Sequence, residues 1–377
     1  MSTQQRIIPR QKNFQSLFTT GLALFSMFFG AGNLIFPLFI GRLVGHHVWF
    51  AILGLGLTAV IVPLLGLIAM MLFQGDTRRF FGRLGTYPGV FLLLLLQLIL
   101  GPFGVIPRLI TLMHATIKPY FFEMPLMLFS ALVGLLIFGS SYKRSRLIAL
   151  LGVYLTPVLL LSLTALVFFG LMDGSSLSFT TLSAKESFLE GLLGGYNTMD
   201  LIAAFLFATV VLPHFQKEAE LEHPAERQRS LVKKMVFSSL IAAFLLFLTY
   251  IGLCLISARH AAALGSDCPT EQMLGAIAVN ILGPIGGSIA AIAIFTACLT
   301  TAMTLVSIFA DYLRKDLCKG KISPSLAIIL TLVAATLVAN LGFGGIAAFL
   351  GPLLQVVYPG LIVLTLFNLF HWKTADV

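Results

Sequence analysis

The first long apolar stretch of the chain is interrupted by the sequence FFGAGNLIFP, residues 28–37. Glycine and asparagine are poor helix formers, and proline cannot continue the hydrogen bonding of a helix. Gly30, Gly32, Asn33 and Pro37 therefore invite the backbone to unwind in the middle of an apolar helix. We predict that the first helix is broken at this point.

The composition places this broken helix in a membrane. Of 377 residues, 58% are hydrophobic and 10% are charged, whereas a soluble domain carries about 25% charged residues. This chain has too little polar surface to be a soluble enzyme, a nucleic-acid-binding protein or a disordered scaffold. We predict an all-α integral membrane protein, in which unwound backbone is tolerated only where it is buried in protein or lines a cavity.

About ten stretches are long and apolar enough to cross a bilayer, which takes about 20 residues. They lie near 15–40, 47–72, 89–117, 124–140, 146–170, 190–213, 233–258, 284–313, 324–341 and 346–370. The segment 272–282 is too short to span and is predicted to form an external half-helix or hairpin.

The basic residues predict the orientation of these spans. If the N-terminus is cytoplasmic, 19 of the 24 lysines and arginines fall on the inner side and four on the outer side, with Arg108 inside a span. This distribution follows the positive-inside rule. We therefore expect both termini to lie in the cytoplasm and the protein to reside in the cytoplasmic (inner) membrane.

A second cluster of weak helix formers, GGYNTMD at 194–200, lies in the sixth span, five spans after the first cluster. Glycines at one such cluster often serve only for close helix packing. Two clusters separated by an odd number of spans instead indicate two halves of opposite topology, each beginning with a discontinuous helix. Such inverted repeats are typical of secondary transporters.

This pattern predicts the following organisation: a cytoplasmic N-terminus (1–14), a first five-helix repeat (15–170), an extracellular loop (171–189), a second, inverted five-helix repeat (190–370) and a cytoplasmic tail (371–377). No loop is long enough for a catalytic domain. The phosphate-binding pattern G-x-x-x-x-G-K-[ST] is absent from the sequence. We expect no organic cofactor and no nucleic-acid partner.

A broken helix exposes free N–H groups where its second half begins and free carbonyls where its first half ends. The N–H groups suit a carboxylate, and the carbonyls suit an ammonium group or a sodium ion. For an amino-acid carboxylate we predict the N–H groups of Gly32, Asn33 and Leu34. For the ammonium group we predict carbonyls near Phe29, Ala31, Tyr196 and Asn197.

The eighth span offers oxygen atoms for a cation. Ala297, Thr300 and Thr301 fall on one helical face, and hard cations prefer oxygen ligands. The alternative is that these threonines donate hydrogen bonds back to their own helix, as buried threonines often do.

Asp200 and Arg108 are the acidic and basic residues placed well inside spans. Each lies about ten residues from the outer end of its span, so the two are expected at similar depth. Intramembrane charges are costly and usually paired, so we predict that the two form a structural or gating pair. The alternative is that Asp200 is a proton-coupling carboxylate.

At these residues the sequence resembles the branched-chain amino acid:cation symporter family. The resemblance is carried by residues 28–37 together with GPFGVIPR (101–108), GYNTMD (195–200) and Thr300-Thr301. It implies a LeuT-like fold, sodium-coupled import of leucine, isoleucine and valine, and a sodium site in which Ser26 and Phe29 carbonyls meet the eighth span. Members usually carry twelve spans, so we expect the last two to be missing here.

The leading prediction is therefore a sodium-coupled importer of branched-chain amino acids, with sodium as the coupling ion. Methionine is a further expected substrate, because one methylene is weakly discriminated. A proton-coupled permease for other apolar amino acids is the alternative of the same class. An integral-membrane enzyme acting on lipid is the alternative of a different class.

Overall fold

The computed structural model describes residues 10–118, 124–141, 150–172, 175–219, 224–264 and 268–371, and the regular structure in these ranges is helical. Residues 1–9 of the predicted N-terminal segment (1–14) and residues 372–377 of the predicted tail (371–377) lie outside them. So do the predicted inner-loop residues Lys143, Arg144 and Arg146. The all-α prediction is confirmed.

The first half contains α1 (Arg10–Phe28), α2 (Ala31–Val44), α3 (Val48–Gly56), α4 (Val62–Leu72), α5 (Thr77–Gly82), α6 (Thr86–Leu100), α7 (Val105–Ile117), α8 (Leu126–Ser141) and α9 (Thr156–Met172). A π-helical turn, Leu57–Ile61, joins α3 to α4, so that the two form one span.

The second half contains α10 (Ala184–Thr198), α11 (Asp200–Ala219), α12 (Pro224–His260), α13 (Met273–Tyr312), α14 (Pro324–Ala339) and α15 (Gly342–Phe370). Helix α13 bends at Gly283, which has a φ of 62° and precedes Pro284. The residues before this bend are the predicted half-helix, and those after it are the eighth span.

Within the described residues, each of the ten predicted spans corresponds to one or two of these helices. Among the described residues, seven helical stretches are long and apolar enough to cross a membrane, and three shorter apolar helices accompany them. The breaks predicted in the first and sixth spans are present, between α1 and α2 and between α10 and α11.

A third break was not predicted. The stretch 89–117 was expected to be one continuous helix, but α6 ends at Leu100 and α7 begins at Val105. Gly101 and Gly104 both have non-helical backbone angles at this point. A Cβ atom at Gly101 would lie 2.8 Å from the ring of Phe309 in α13, so the glycine also allows close packing there.

Contacts between loops agree with the predicted alternation of sides. Among the predicted inner segments, Arg78 forms an ion pair with Asp316, and Arg83 donates a hydrogen bond to the His371 carbonyl at 2.8 Å. Among the predicted outer segments, the Arg259 guanidinium donates to the Leu171 carbonyl at 2.7 Å. Each of these contacts therefore joins two segments that the charge pattern assigns to the same side of the membrane.

Glycines allow the long helices to approach closely. Gly41 of α2 contacts the backbone of Cys254 in α12, and Gly191 of α10 contacts the backbone of Ala51 in α3. A methyl group at either glycine would overlap with backbone atoms of the facing helix. Small residues at such crossings are the usual means of packing helices in a membrane, where apolar side chains gain little from leaving lipid.

Replacing Gly191 by alanine should therefore destabilise the protein, because the new methyl group meets the Ala51 carbonyl oxygen, which cannot move without its helix. We expect a loss of about 1–3 kcal/mol, the usual cost of overpacking. It would appear as a lower melting temperature of the purified protein in detergent. Gly134→Ala is the matched control, because no atom lies within 4 Å of a Cβ at Gly134. Equal melting temperatures for the two variants would contradict the packing argument.

Candidate functional site

The break in the first span is centred on Gly30, which is extended, with φ −113° and ψ −157°. Its N–H group donates to the Phe28 carbonyl at 2.8 Å and to the side-chain oxygen of Asn33 at 3.3 Å. The Asn33 side chain thus closes the first turn of α2 in the manner of a capping residue.

The first turn of α2 leaves backbone donors open. The N–H groups of Ala31, Gly32 and Asn33 make no hydrogen bond within the described part of the chain, whereas the N–H of Leu34 donates to the Gly30 carbonyl at 3.2 Å. The open donors are therefore one residue earlier than predicted: Gly32 and Asn33 are open, Leu34 is not, and Ala31 takes its place.

The break in the sixth span falls at Met199, which has a left-handed backbone (φ 63°, ψ 18°). Its N–H donates to the Tyr196 carbonyl at 3.2 Å, while the Asn197 carbonyl accepts no hydrogen bond from the described backbone. Of the two predicted carbonyls here, Asn197 is thus open and Tyr196 is in use. Helix α11 begins directly afterwards, at Asp200.

The glycines of the second cluster do not form the break. Gly194 and Gly195 lie inside α10, where a Cβ at Gly194 would collide with Ile40 and one at Gly195 with Thr58. For these two residues the packing interpretation is correct, and the chain unwinds only after them.

The two breaks are in contact. A Cβ atom at Gly32 would lie 3.1 Å from the Cα of Thr198 and 3.3 Å from the Asn197 carbonyl oxygen. Any side chain at this position would require the backbone at the end of α10 to shift by a few tenths of an ångström, so glycine favours this close approach.

Asn33, Asp200 and Tyr250 form a buried hydrogen-bond network between the breaks. The Asn33 amide donates to the two carboxylate oxygens of Asp200 at 2.9 and 2.7 Å and also contacts the Tyr250 hydroxyl. The hydroxyl in turn donates to Asp200 at 2.9 Å. Asp200 is also the first residue of α11, where the helix dipole favours a negative charge. These interactions compensate for a carboxylate that is 1% exposed.

A second tyrosine, Tyr358 of α15, completes the surroundings of the second break. Its hydroxyl accepts a hydrogen bond from the Leu201 N–H at 3.0 Å, and its ring stacks on that of Tyr196 with centroids 4.6 Å apart. The sequence prediction included neither Tyr250 nor Tyr358. The available signal was that a tyrosine in an apolar span needs a partner for its hydroxyl.

Four of the five predicted cation-binding residues are brought together between α1 and α13. The Thr300 hydroxyl lies 2.9 Å from the Ser26 carbonyl and 2.9 Å from the Ala297 carbonyl, and the Thr301 hydroxyl lies 3.3 Å from the Ser26 carbonyl. The Phe29 carbonyl accepts no hydrogen bond from the described backbone. All five residues are buried.

The donor set of this oxygen cluster fits a monovalent cation. Its oxygens are neutral carbonyls and hydroxyls, and hard cations prefer oxygen ligands. A hydroxyl has one proton, so Thr300 can donate to only one of its two neighbouring carbonyls at a time. The back-bonding alternative is therefore also present, in the contact to Ala297, but it leaves acceptor oxygens available.

Arg108 and Asp200 do not form an ion pair in this structure. Asp200 is bonded to Asn33 and Tyr250 instead. The Arg108 guanidinium, carried by α7, lies between the rings of Phe36 and Phe343, with centroids 5.4 and 5.0 Å away. The direct pair predicted from their similar depth is thus not made here.

A central cavity lies between the two breaks and is lined by residues of both. It has a volume of about 20 Å³, enough for about one water molecule. Its lining includes Gly30, Ala31, Gly32, Asn33, Arg108, Asn197, Thr198, Asp200, Phe207 and Thr301. Among the predicted substrate residues, Phe29, Leu34 and Tyr196 do not line it.

Comparison with known proteins identifies the family. The family model described as "Branched-chain amino acid transport protein" matches residues 13–376. The chain belongs to this family. The branched-chain amino acid permease BraB of Bacillus subtilis is 31% identical over 356 residues, which cover 91% of this chain and 77% of BraB. The permease BrnQ of the same organism is 30% identical over 371 residues, covering 94% of this chain and 82% of BrnQ.

Solved structures identify the fold. A Na+-coupled sialic acid symporter in a substrate-bound outward-open state is similar with a TM-score of 0.58 at 14% identity, over 97% of this chain and 82% of that one. MhsT in complex with L-phenylalanine is similar with a TM-score of 0.55 at 16% identity, over 88% and 79%. The LeuT-like fold with discontinuous first and sixth helices is confirmed.

These findings decide between the classes of function considered above. The relatives are permeases and carriers of branched-chain amino acids, so the protein is an amino-acid transporter of the membrane and not a lipid-modifying enzyme.

The network across the breaks should show energetic coupling. Tyr250→Phe removes one donor to a buried carboxylate, and hydrogen bonds to charged groups contribute about 1.5–3 kcal/mol. We expect the loss of stability on Tyr250→Phe to be at least about 0.5 kcal/mol smaller when Asp200 is replaced by asparagine, as for residues in one network. Thermal unfolding of the four proteins of the cycle measures this difference.

The control is Tyr87→Phe. Because Tyr87 is 88% exposed, this substitution should neither change the stability nor couple to Asp200→Asn. Strict additivity of Tyr250→Phe and Asp200→Asn would show that the hydroxyl and the carboxylate act independently.

Proposed function

We propose that this carrier imports leucine, isoleucine and valine together with sodium, by alternating access. The observation that supports this most strongly is the position of Thr301. Its hydroxyl belongs to the oxygen cluster with Ser26, and its side chain also lines the central cavity. A cation and a substrate would therefore occupy neighbouring sites that share one side chain.

The central cavity offers opposite polarities to the two ends of an amino acid. The open N–H groups of Ala31, Gly32 and Asn33 suit the α-carboxylate. The open Asn197 carbonyl and the Asp200 carboxylate suit the α-ammonium group. Apolar neighbours such as Phe207 suit an aliphatic side chain. Selection among leucine, isoleucine, valine and methionine is expected to be weak, since all four side chains are apolar and similar in size, and a difference of one methylene, as between leucine and valine, is weakly discriminated.

Sodium would act by holding two helices together. The oxygen cluster takes the Ser26 carbonyl from α1 and the Thr300 and Thr301 hydroxyls from α13. An ion bound to both helices favours the conformation in which they are close. If that is the outward-open conformation, sodium raises the affinity for the substrate, and the substrate raises the affinity for sodium by the same factor.

The direction of transport follows from the proposed orientation. The excess of lysine and arginine in alternate loops supports an inner-membrane protein with cytoplasmic termini. In that orientation the usual inward sodium gradient drives amino-acid import.

Proton coupling through Asp200 is the competing mechanism, because a buried carboxylate at the cavity is a possible proton carrier. Against it stands the structural role of this carboxylate: Asn33 and Tyr250 both donate to it, so that it holds the two breaks together.

Uptake of radiolabelled leucine into proteoliposomes distinguishes the mechanisms. With an inward sodium gradient, we expect leucine to accumulate inside the vesicles above its external concentration. When sodium is equal on both sides and only a proton gradient is imposed, we expect no such accumulation. Uptake driven by the proton gradient alone would transfer the coupling role to Asp200, and uptake indifferent to both gradients would overturn symport.

Thr300→Val should weaken sodium activation specifically, because it removes a hydroxyl oxygen and keeps the shape of the side chain. We expect the sodium concentration for half-maximal leucine uptake to rise about tenfold or more, which corresponds to about 1.4 kcal/mol. The measurement is leucine uptake over a series of sodium concentrations.

Thr304→Val is the matched control. Thr304 is equally buried on the same helix, but its hydroxyl donates to the Thr300 carbonyl of its own helix. The same rise in the sodium requirement for both variants would mean that the effect comes from helix α13 in general and not from the oxygen cluster.

A further inference from the structure

Arg108 is a buried cation without sufficient hydrogen-bond partners. Arg108 is only 3% exposed, and its Nε and Nη2 groups make no hydrogen bond within the described part of the chain. Arginine carries five N–H donors and remains protonated. Leaving such a group buried and unpaired is strongly unfavourable, so its position favours the binding of an anion beside it.

The surroundings of Arg108 fix its orientation and do not neutralise it. The rings of Phe36 in α2 and Phe343 in α15 lie 5.4 and 5.0 Å from the guanidinium carbon. Aromatic faces attract a cation, but they provide no acceptor for its N–H groups. The guanidinium thus lies over two aromatic rings, and Arg108 is among the residues that line the central cavity.

Other positive groups lie at the same cavity. Helices α2 and α7 begin at Ala31 and Val105, and both residues line the cavity. A helix N-terminus carries a partial positive charge, and the first N–H groups of α2 are open. Arg108 lies in the first turn of α7, where a second positive charge is unfavourable unless an anion is bound. Asp200 does not serve as this anion, because it is bonded to Asn33 and Tyr250 and makes no ion pair with Arg108.

We propose that Arg108 binds the α-carboxylate of the transported amino acid, in concert with the open N–H groups of α2. This rests on the proposed function, in which a zwitterionic amino acid occupies the central cavity. The planar guanidinium matches a carboxylate through two parallel N–H···O bonds. The substrate then lies between Arg108 and Asp200, with its ammonium group toward Asp200, and the two charges are separated by the substrate and not paired with each other.

The cavity must widen for this to occur, because its present volume admits about one water molecule. Arg108 and Phe36 belong to different helices, α7 and α2, so a separation of these helices opens the space beside the guanidinium. Binding of the carboxylate to both helices then draws them together again. In this way Arg108 makes closure of the site depend on a substrate that carries a carboxylate.

The test compares leucine with leucinamide, which keeps the side chain and the ammonium group but replaces the carboxylate by a neutral amide. Binding to the purified full-length protein in saturating sodium is measured from the ligand-induced rise in melting temperature. In the native protein we expect leucine to bind about 100-fold or more tightly than leucinamide. In Arg108→Gln we expect this ratio to fall at least tenfold, through weaker leucine binding with leucinamide unchanged.

Two further variants make the result specific. Arg108→Lys keeps the charge but not the planar pair of donors, so its ratio should lie between those of the native protein and Arg108→Gln; it also serves as the test if the glutamine variant does not fold. Arg259→Gln is the matched control. Arg259 has an unpartnered Nε and donates to the Leu171 carbonyl, but it lies outside the cavity lining. The ratio of leucine to leucinamide affinity in this variant should equal that of the native protein.

The outcomes separate this proposal from the proposed function. If the native protein binds leucine but the Arg108 variants keep the native ratio, or weaken both ligands equally, Arg108 has only a structural role and the proposal is wrong. If the native protein binds neither leucine nor another branched-chain amino acid in sodium, the proposed function itself is wrong.

Discussion

The hydrogen bonds between Asn33 and Asp200 join the two interrupted helices at the centre of the protein, and the site is arranged around them. Asn33 uses its side-chain oxygen to close the first turn of α2 and its amide to hold the carboxylate that begins α11. Because the same residue shapes both breaks, the open N–H groups of α2 and the open carbonyl of Asn197 face one space. Gly32 makes this possible, since no side chain separates the start of α2 from the end of α10.

The chain contains few charges, and it uses them differently at its two neighbouring sites. The oxygen cluster between α1 and α13 consists of neutral carbonyls and hydroxyls, which would suit the sodium ion of the proposed symport. The central cavity instead combines open backbone dipoles with one buried carboxylate and one buried guanidinium. Thr301 lines the cavity and belongs to the oxygen cluster, so occupation of one site changes the surroundings of the other. This is the physical requirement for coupling two ligands.

The sequence predicted the elements that depend on local composition. The cluster at 28–37 located the first break correctly, and the threonines of the eighth span were placed on the correct face because helical spacing is regular. The second break was predicted in the right span but not at the right residue, since glycines at 194 and 195 signal unwinding and close packing equally well, and only the facing residues Ile40 and Thr58 distinguish the two. The contact of Asn33 with Asp200 joins residues 167 positions apart, and no local pattern encodes it.

The unpredicted break in the third span shows why pairing charges by depth was insufficient. Judged by depth alone, Arg108 and Asp200 are the natural partners, because each is the oppositely charged residue of an apolar span. The interruption at Gly101–Gly104 starts a new helix at Val105, so Arg108 lies near a positive helix end, between two aromatic rings, while Asp200 begins its own helix and is bonded to its own partners. Each charge is thus set in an environment that favours a separate counter-charge. A zwitterion supplies both counter-charges in one molecule, whereas a direct ion pair would leave the open N–H groups of α2 without an acceptor.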